Sequence, residues 1–128
     1  MNRPLIDALQ RCLQRLIQTR LWGMDIHASA RIDPTALIDR TWPKGIHIEA
    51  GCVIEEQAVV LTHDMTRGIY LDTRLGARCH LGARAIIMPG VTVGADAVVA
   101  PGAVVIRDVP AGAYAIGNPA DVRPREDS

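Results

Sequence analysis

LGARCH LGARAI IMPGVT VGADAV VAPGAV VIR, residues 75–107, sets an aliphatic side chain at every sixth position: Leu75, Leu81, Ile87, Val93, Val99 and Val105. An α-helix repeats every 3.6 residues and a plain strand every 2, so neither generates a period of six. A short strand plus a corner does, when the unit is stacked on itself as a solenoid. The remaining positions keep the register. Two residues after each aliphatic stands a small residue or proline (Ala77, Ala83, Pro89, Ala95, Pro101), and four after it a compact one (Cys79, Ala85, Val91, Ala97, Ala103). Between them Arg78, Arg84, Gly90, Asp96 and Gly102 suit solvent or a turn.

Working outward, the same clock starts at Ile26 and runs through Ile32 and Ile38. The segment Asp39–Gly45 breaks it; it resumes at Ile48, Ile54 and Val60, breaks again over Leu61–Gly68, and is expected to restart at Ile69. Grouped in threes (Ile26/Ile32/Ile38, Ile48/Ile54/Val60, Ile69/Leu75/Leu81, Ile87/Val93/Val99), these residues predict an all-β solenoid of about four to five triangular coils, with equivalent positions stacked about 4.8 Å apart. Each buried aliphatic contributes on the order of 1.5–3 kcal/mol, an upper bound. Chain entropy opposes a total of the same size, so contacts between subunits are expected to supply part of the stability.

Composition agrees. The 128 residues are 48% hydrophobic, with no Phe, two Trp and two Tyr, which suits a narrow interior of Val, Ile, Leu and Ala. The charges balance at 14 basic and 14 acidic, so no global field draws nucleic acid or anionic lipid. Three cysteines cannot all pair; Cys52 and Cys79 fall on the compact position and read as buried thiols of a reducing, cytoplasmic setting, with no signal peptide expected. Ala85–Ile106, with Asp96 as its one charge, is long enough to imitate a membrane span, but its glycines, prolines and strict period of six speak for the solenoid.

The expected organisation is a capping segment over residues 1–24, a repeat domain over 25–110 with loops at 39–45 and 61–68, and a C-terminal cap and tail over 111–128. In the first segment Leu5, Leu9, Cys12, Leu13, Leu16 and Ile17 recur at helical spacing, with Arg11, Gln14, Arg15 and Gln18 on the other face. The favoured reading is a lid on the open first coil, whose strands need cover; contact with a membrane surface is the less favoured one.

The second interruption, Leu61-Thr62-His63-Asp64-Met65-Thr66-Arg67-Gly68, is where chemistry is expected. A neutral imidazole at His63, where the coil leaves register, can act as a general base. Asp64 or Asp39 is the candidate to orient it, and Arg67 to bind an anion or pair with an acid. His27 and His47 read as outward face residues, while His80 is the rival to His63.

The hexads, the Thr62-His63-Asp64 loop, the run Leu81–Gly94 and the ending Arg107-Asp108-Val109-Pro110 with Gly117-Asn118-Pro119-Ala120 resemble the hexapeptide-repeat acyltransferases. Within these they look most like the galactoside, maltose and exopolysaccharide O-acetyltransferases, over about residues 26–123. The resemblance implies a left-handed parallel β-helix, a homotrimer, and acetyl-CoA lying between neighbouring prisms. It implies His63 as catalytic base, Asp39 near the acceptor, Ala83 and the turn Ala100-Pro101 holding the pantetheine arm, and Arg107 near the nucleotide phosphates. Two departures stand out. Pro101 has no N–H to donate, so a contact usual there must move to Gly102. His80 stands where the family often has Trp, beside the acceptor.

The expected function is therefore acetyl transfer from acetyl-CoA to a hydroxyl of a saccharide or related small molecule, without a metal and without a covalent enzyme intermediate. The competing expectations are a non-catalytic β-helix scaffold or acyl-CoA sensor, and a zinc lyase of the γ-carbonic-anhydrase kind, which would need three histidine ligands.

Overall fold

A computed structural model of the chain describes residues 3–125; the ends of the expected first and last segments, residues 1–2 and 126–128, lie outside the described residues. A first turn of coil is made by β1 (Asp25–Ile26), β2 (Arg31–Ile32) and β3 (Leu37–Ile38), and a second by β4 (Ile46–Ile48), β5 (Val53–Ile54) and β6 (Val59–Val60). A hairpin, β7 (His63–Asp64) and β8 (Ile69–Tyr70), then intervenes. The coil continues with β9 (Thr73–Leu75), β10 (His80–Leu81) and β11 (Ile86–Ile87), then β12 (Thr92–Val93), β13 (Val98–Val99) and β14 (Val104–Val105). It ends in an antiparallel pair, β15 (Ala113–Gly117) and β16 (Ala120–Pro124).

The chain visits three sheets in strict rotation. The first face is β1-β4-β9-β12, the second β2-β5-β10-β13-β15 with β16 at its edge, and the third β3-β6-β11-β14. Within each face successive coils pair in parallel, and the hexad residues align one above another: Ile26↔Ile48 and Leu75↔Val93 on the first, Ile32↔Ile54↔Leu81↔Val99 on the second, Ile38↔Val60↔Ile87↔Val105 on the third. These columns are buried, and so are the compact residues between them, from Cys52 and Ala58 through Cys79 and Ala85 to Ala97 and Ala103. Cys52 and Cys79 are free thiols stacked 3.4 Å apart in that interior.

The corners explain the third position of each hexad. Arg78, Arg84 and Asp96 have φ of +59°, +62° and +61°, left-handed values that point their side chains to solvent. Gly82 is required for a different reason: a Cβ there would lie 2.6 Å from the backbone nitrogen of Pro101 on the next coil. The coils pack too closely at that corner for any side chain.

One grouping needs correcting. The third coil is Leu75/Leu81/Ile87 and the fourth Val93/Val99/Val105, so the clock restarts at Leu75 and not at Ile69. Ile69 is consumed by the hairpin, where it pairs with Asp64 and is only partly buried. The column of the first face is kept by Thr73, which stacks on Ile46, and by Leu75, which stacks on Ile48. A fifth, partial coil follows, with Val109 bridging to Val93 and Ala115 stacking on Val99.

At the other end α1 (Arg3–Leu16) continues through a π-helical turn to Leu21. It has the expected two faces, with Ile17 half-buried and the leucines largely exposed. No residue of α1 is buried, and Leu9 and Leu13 are each 58% exposed. What meets the coil is the polar side. Arg15 donates from Nη1 to the carbonyls of His27 (2.9 Å) and Ala28 (3.3 Å) and from Nη2 to Ala30 (2.6 Å), while Gln18 is buried. The first corner presents backbone carbonyls with no preceding coil to pair them, and a guanidinium with several donors satisfies them where leucines could not. Burial draws the Arg15 guanidinium below its ordinary value, as expected of a cation taken from water.

Candidate active site

Both interruptions leave the coil at the same edge, between the third face and the first, on consecutive turns: one joins β3 to β4, the other β6 to β9. They are held together through Asp39. Its Oδ1 accepts the N–H of Thr41 at 2.9 Å and its Oδ2 the N–H of Thr62 at 3.0 Å. Thr62 in turn donates its hydroxyl to the Trp42 carbonyl at 3.0 Å. The exit of the second loop is fixed by Thr73, whose hydroxyl donates to Leu61 O at 2.6 Å and accepts the N–H of Gly90 at 3.0 Å. Thr62 and Thr73 are fully buried, each satisfying loop backbone that the ladder leaves unpaired.

His63 sits on this support. Its Nδ1 is 4.0 Å from Asp39 Oδ2, its side chain is 18% exposed, and Tyr70 stacks on its ring at 5.4 Å between centroids and 27° between planes. Trp42 closes the cluster by packing edge-on against Tyr70 at 6.0 Å. Burial alone would push the Asp39 carboxyl up; the N–H groups of Thr62 and Thr41, with the nearby His63, outweigh it and hold the group below the ordinary carboxylate value. Asp39 is thus a fixed anion beside Nδ1, which favours a proton on that nitrogen and leaves Nε2 as the basic one. A gap of 4.0 Å is long for a hydrogen bond and of the kind that tightens when substrate fills a site.

The other expected site residues divide. Asp64 turns away from His63: its Oδ1 accepts the N–H groups of Thr66 and Arg67, and its Oδ2 the Nε–H of Arg67 at 2.7 Å. Asp64 and Arg67 therefore build the hairpin turn and occupy each other. His80 begins β10 on the second face, with its Nε2 3.1 Å from Glu55 Oε2, and within one protomer it is not part of the His63 cluster. His47 lies on the first face between Asp25 (3.1 Å) and Asp72 (2.9 Å), and His27 accepts the N–H of Ser29.

Of the positions expected to hold coenzyme, Ala83 and Ala100–Gly102 stack at the edge between the second and third faces, and the exposed Arg107 follows β14 on His63's edge. Gly102 cannot supply the donor that Pro101 lacks, because its N–H already goes to Ala83 O at 2.9 Å. Trp42 and Tyr70 are functional candidates that the loop motif alone does not single out. The sequence carries one signal for them: of its two Trp and two Tyr, these stand inside or just after the two interruptions.

Residues 72–107 match the family described as bacterial transferase hexapeptide (six repeats). That stretch, from just before β9 to just after β14, is the part of the coil that matches the repeat of that family. Over 125 residues the chain is 33% identical to serine acetyltransferase 2 of Arabidopsis thaliana, a match covering 87% of this chain and 36% of that protein. The chain spans about a third of the length of the curated relatives it matches. Among solved structures, a maltose O-acetyltransferase from Clostridium difficile 630 superposes with a TM-score of 0.66 at 19% identity, covering 98% of this chain and 90% of the other. A galactoside acetyltransferase in complex with coenzyme A gives 0.62 at 17% identity, covering 93% and 80%. At these identities the two structures speak for the hexapeptide-repeat fold, and the same fold places the His63 loop at an edge of the coil.

Proposed function

We propose that the chain is an acyl-CoA-dependent O-acetyltransferase, with His63 as the general base and a saccharide or related hydroxyl compound as acceptor. The observation that carries this is the His63–Asp39 pair: the imidazole stands at the one edge where both interruptions of the repeat meet, with an anion built into the coil behind it. Support comes also from the relatives, which are named acetyltransferases, one of them solved with coenzyme A.

In this reading the coil is a left-handed β-helix and works as a trimer, with acetyl-CoA lying along a groove between copies. Arg107 lies along the edge that bears His63, while Ala83 and Ala100–Gly102 line the next one. A groove between two prisms brings one edge of a copy against a face of its neighbour, and so unites groups that one protomer keeps apart. The acceptor oxygen attacks the thioester carbon while His63 Nε2 takes its proton. The C–S bond then breaks and the thiol sulfur leaves, protonated by the imidazolium. A hydroxyl is too weak an acid to ionise beforehand, so the base acts during attack and contributes about 10²–10⁴ in rate. Asp39 holds the Nδ1 proton and stabilises the imidazolium. The oxyanion takes its donors from corner backbone N–H groups.

The test is thiol release from acetyl-CoA by the purified chain across a panel of sugar acceptors, repeated with His63→Ala. The expected result is turnover with at least one acceptor and a fall of about 10²–10⁴ in kcat for the variant at unchanged coenzyme binding. Near-normal turnover by His63→Ala removes the base assignment; silence of the native chain across the panel removes the activity.

A further inference from the structure

The hairpin does more than carry His63. Asp39 approaches Nδ1 only to 4.0 Å, too far to hold the ring by a hydrogen bond, and the last side-chain torsion of a histidine is broad and roughly two-fold. The plane of the imidazole therefore needs another support. The register of the hairpin supplies it: His63 pairs directly with Tyr70, and Asp64 with Ile69, so the His63 and Tyr70 side chains stand on one side of the two strands. Their rings stack at 5.4 Å between centroids and 27° between planes. The turn sets that register. There Asp64 accepts the N–H groups of Thr66 and Arg67, and Gly68 takes a left-handed φ of +65°.

We propose that Tyr70, braced by Trp42, is the positioning residue that fixes the plane of His63, an inference that rests on the reading of His63 as the base. Tyr70 is 54% exposed, and a ring so open needs a brace to stay in one place. Trp42 meets it edge-on, at 6.0 Å and 64°. Trp42 is itself held twice. Its carbonyl accepts the hydroxyl of Thr62, the residue before His63, at 3.0 Å. Its indole lies across the buried Gly45, where a Cβ would stand 2.5 Å from Cζ3 of that ring. The backbone of Gly45 is not left-handed, so the glycine is explained by the indole it makes room for. The first interruption thus reaches the second along an aromatic path, Gly45 to Trp42 to Tyr70 to His63, beside the polar path through Asp39 and Thr62. The two paths do different things. Asp39 governs which nitrogen carries the proton, and Tyr70 governs the plane in which the ring lies. A base that acts during attack needs both, since a misplacement of about 1 Å can cost on the order of 10² in rate.

Two measurements on the purified chain test this, with far-UV circular dichroism to check that each variant keeps the coil. The first is proton NMR and needs no turnover. The His63 ring protons, identified by their loss in His63→Ala, should lie upfield of a free imidazole through the ring current of Tyr70. They should keep that shift in Tyr70→Phe and lose most of it in Tyr70→Ala. The second is the acetyl-transfer assay. Tyr70→Ala should lower kcat about tenfold, and Gly45→Ala, which displaces the indole, about threefold, with KM for coenzyme and acceptor unchanged. Tyr70→Phe should recover most of the loss. In the His63→Ala background Tyr70→Ala should cost nothing further, because a residue that acts only through another has no effect once that one is gone. Three results overturn the proposal. One is a native chain whose His63 ring protons carry no upfield shift. Another is a Tyr70→Phe variant as impaired as Tyr70→Ala, which moves the role to the hydroxyl. The third is a raised acceptor KM in Tyr70→Ala that persists without His63, which makes Tyr70 a wall of the acceptor site. Silence of the native chain with every acceptor removes the acetyl-transfer reading, and the NMR shift then decides by itself whether Tyr70 fixes the ring.

Discussion

The helix and the coil carry the same kind of signal and put it to opposite use. In the coil a period of six places Leu81, Ile87, Val93 and Val99 at zero exposure, because each turn is covered by the next and the repeat supplies its own partner. In the helix a period near 3.5 is just as clean, and Leu5, Leu9, Leu13 and Leu16 face outward. Periodicity tells which side chains share a side; it does not tell what that side will meet. The helix does sit on the first coil, but the bonds that hold it there come from its polar side. The first corner of the coil presents backbone carbonyls at its open end, so the surface that needs covering is polar, and the polar side of the helix covers it.

The largest effect that sharpens this contrast is in the coil. Leu81→Ala removes a fully buried side chain whose neighbours on both sides, Ile54 and Val99, are fixed by the ladder and collapse little. It is expected to cost about 2–5 kcal/mol, read as a lowered urea midpoint at unchanged slope.

The loops come next, because there a single charged group does what the ladder does elsewhere. Asp39→Asn leaves the shape but turns one of two acceptors into a donor facing an N–H, and is expected to cost about 1–3 kcal/mol. The native chain should show the matching acid dependence. The Asp39 carboxyl lies below its ordinary value when folded, so on acidification the unfolded chain takes up the proton first. The contribution of Asp39 is whole above the ordinary carboxylate value of about 4 and is lost as pH falls through the folded value. Unfolding titrations between neutral and acid pH, native against Asp39→Asn, should converge at the acid end; a difference that stays constant would mean that the charge is irrelevant and the shape alone matters.

Arg15→Ala probes the other clamp. Its three carbonyl partners lie at the end of the coil, where water can replace the guanidinium, so the expected cost is about 0.5–1.5 kcal/mol. Hydrogen exchange should rise across α1 and the first corner and stay unchanged at β10 and β11. A change spreading through the coil would show that the helix is part of its cooperative unit.

Nearly all of the coil was legible because its rule is local: an aliphatic at one hexad position and a compact residue at another suffice for each turn. His63 and Asp39 were legible because they stand where that rule fails. Three things were hidden. Ile69 kept the hexad phase by coincidence, since a strand of a hairpin and a strand of the coil ask for the same residue type. Asp64 adjoins His63 in sequence, but side chains alternate along a strand, so the neighbour points into the turn and the distant Asp39 approaches the ring. The direction of the helix was set by carbonyls of the first corner, and backbone groups leave no mark in a pattern of side chains.

Leu9→Ser is the smallest perturbation and the one that separates the two periodicities most cleanly. If the leucine stripe served the protomer, this change would resemble Leu81→Ala in kind. Because Leu9 is 58% exposed, the change should lower stability by no more than about 0.5 kcal/mol, read from the urea midpoint at unchanged slope. A loss as large as that of Leu81→Ala would put the leucines back inside.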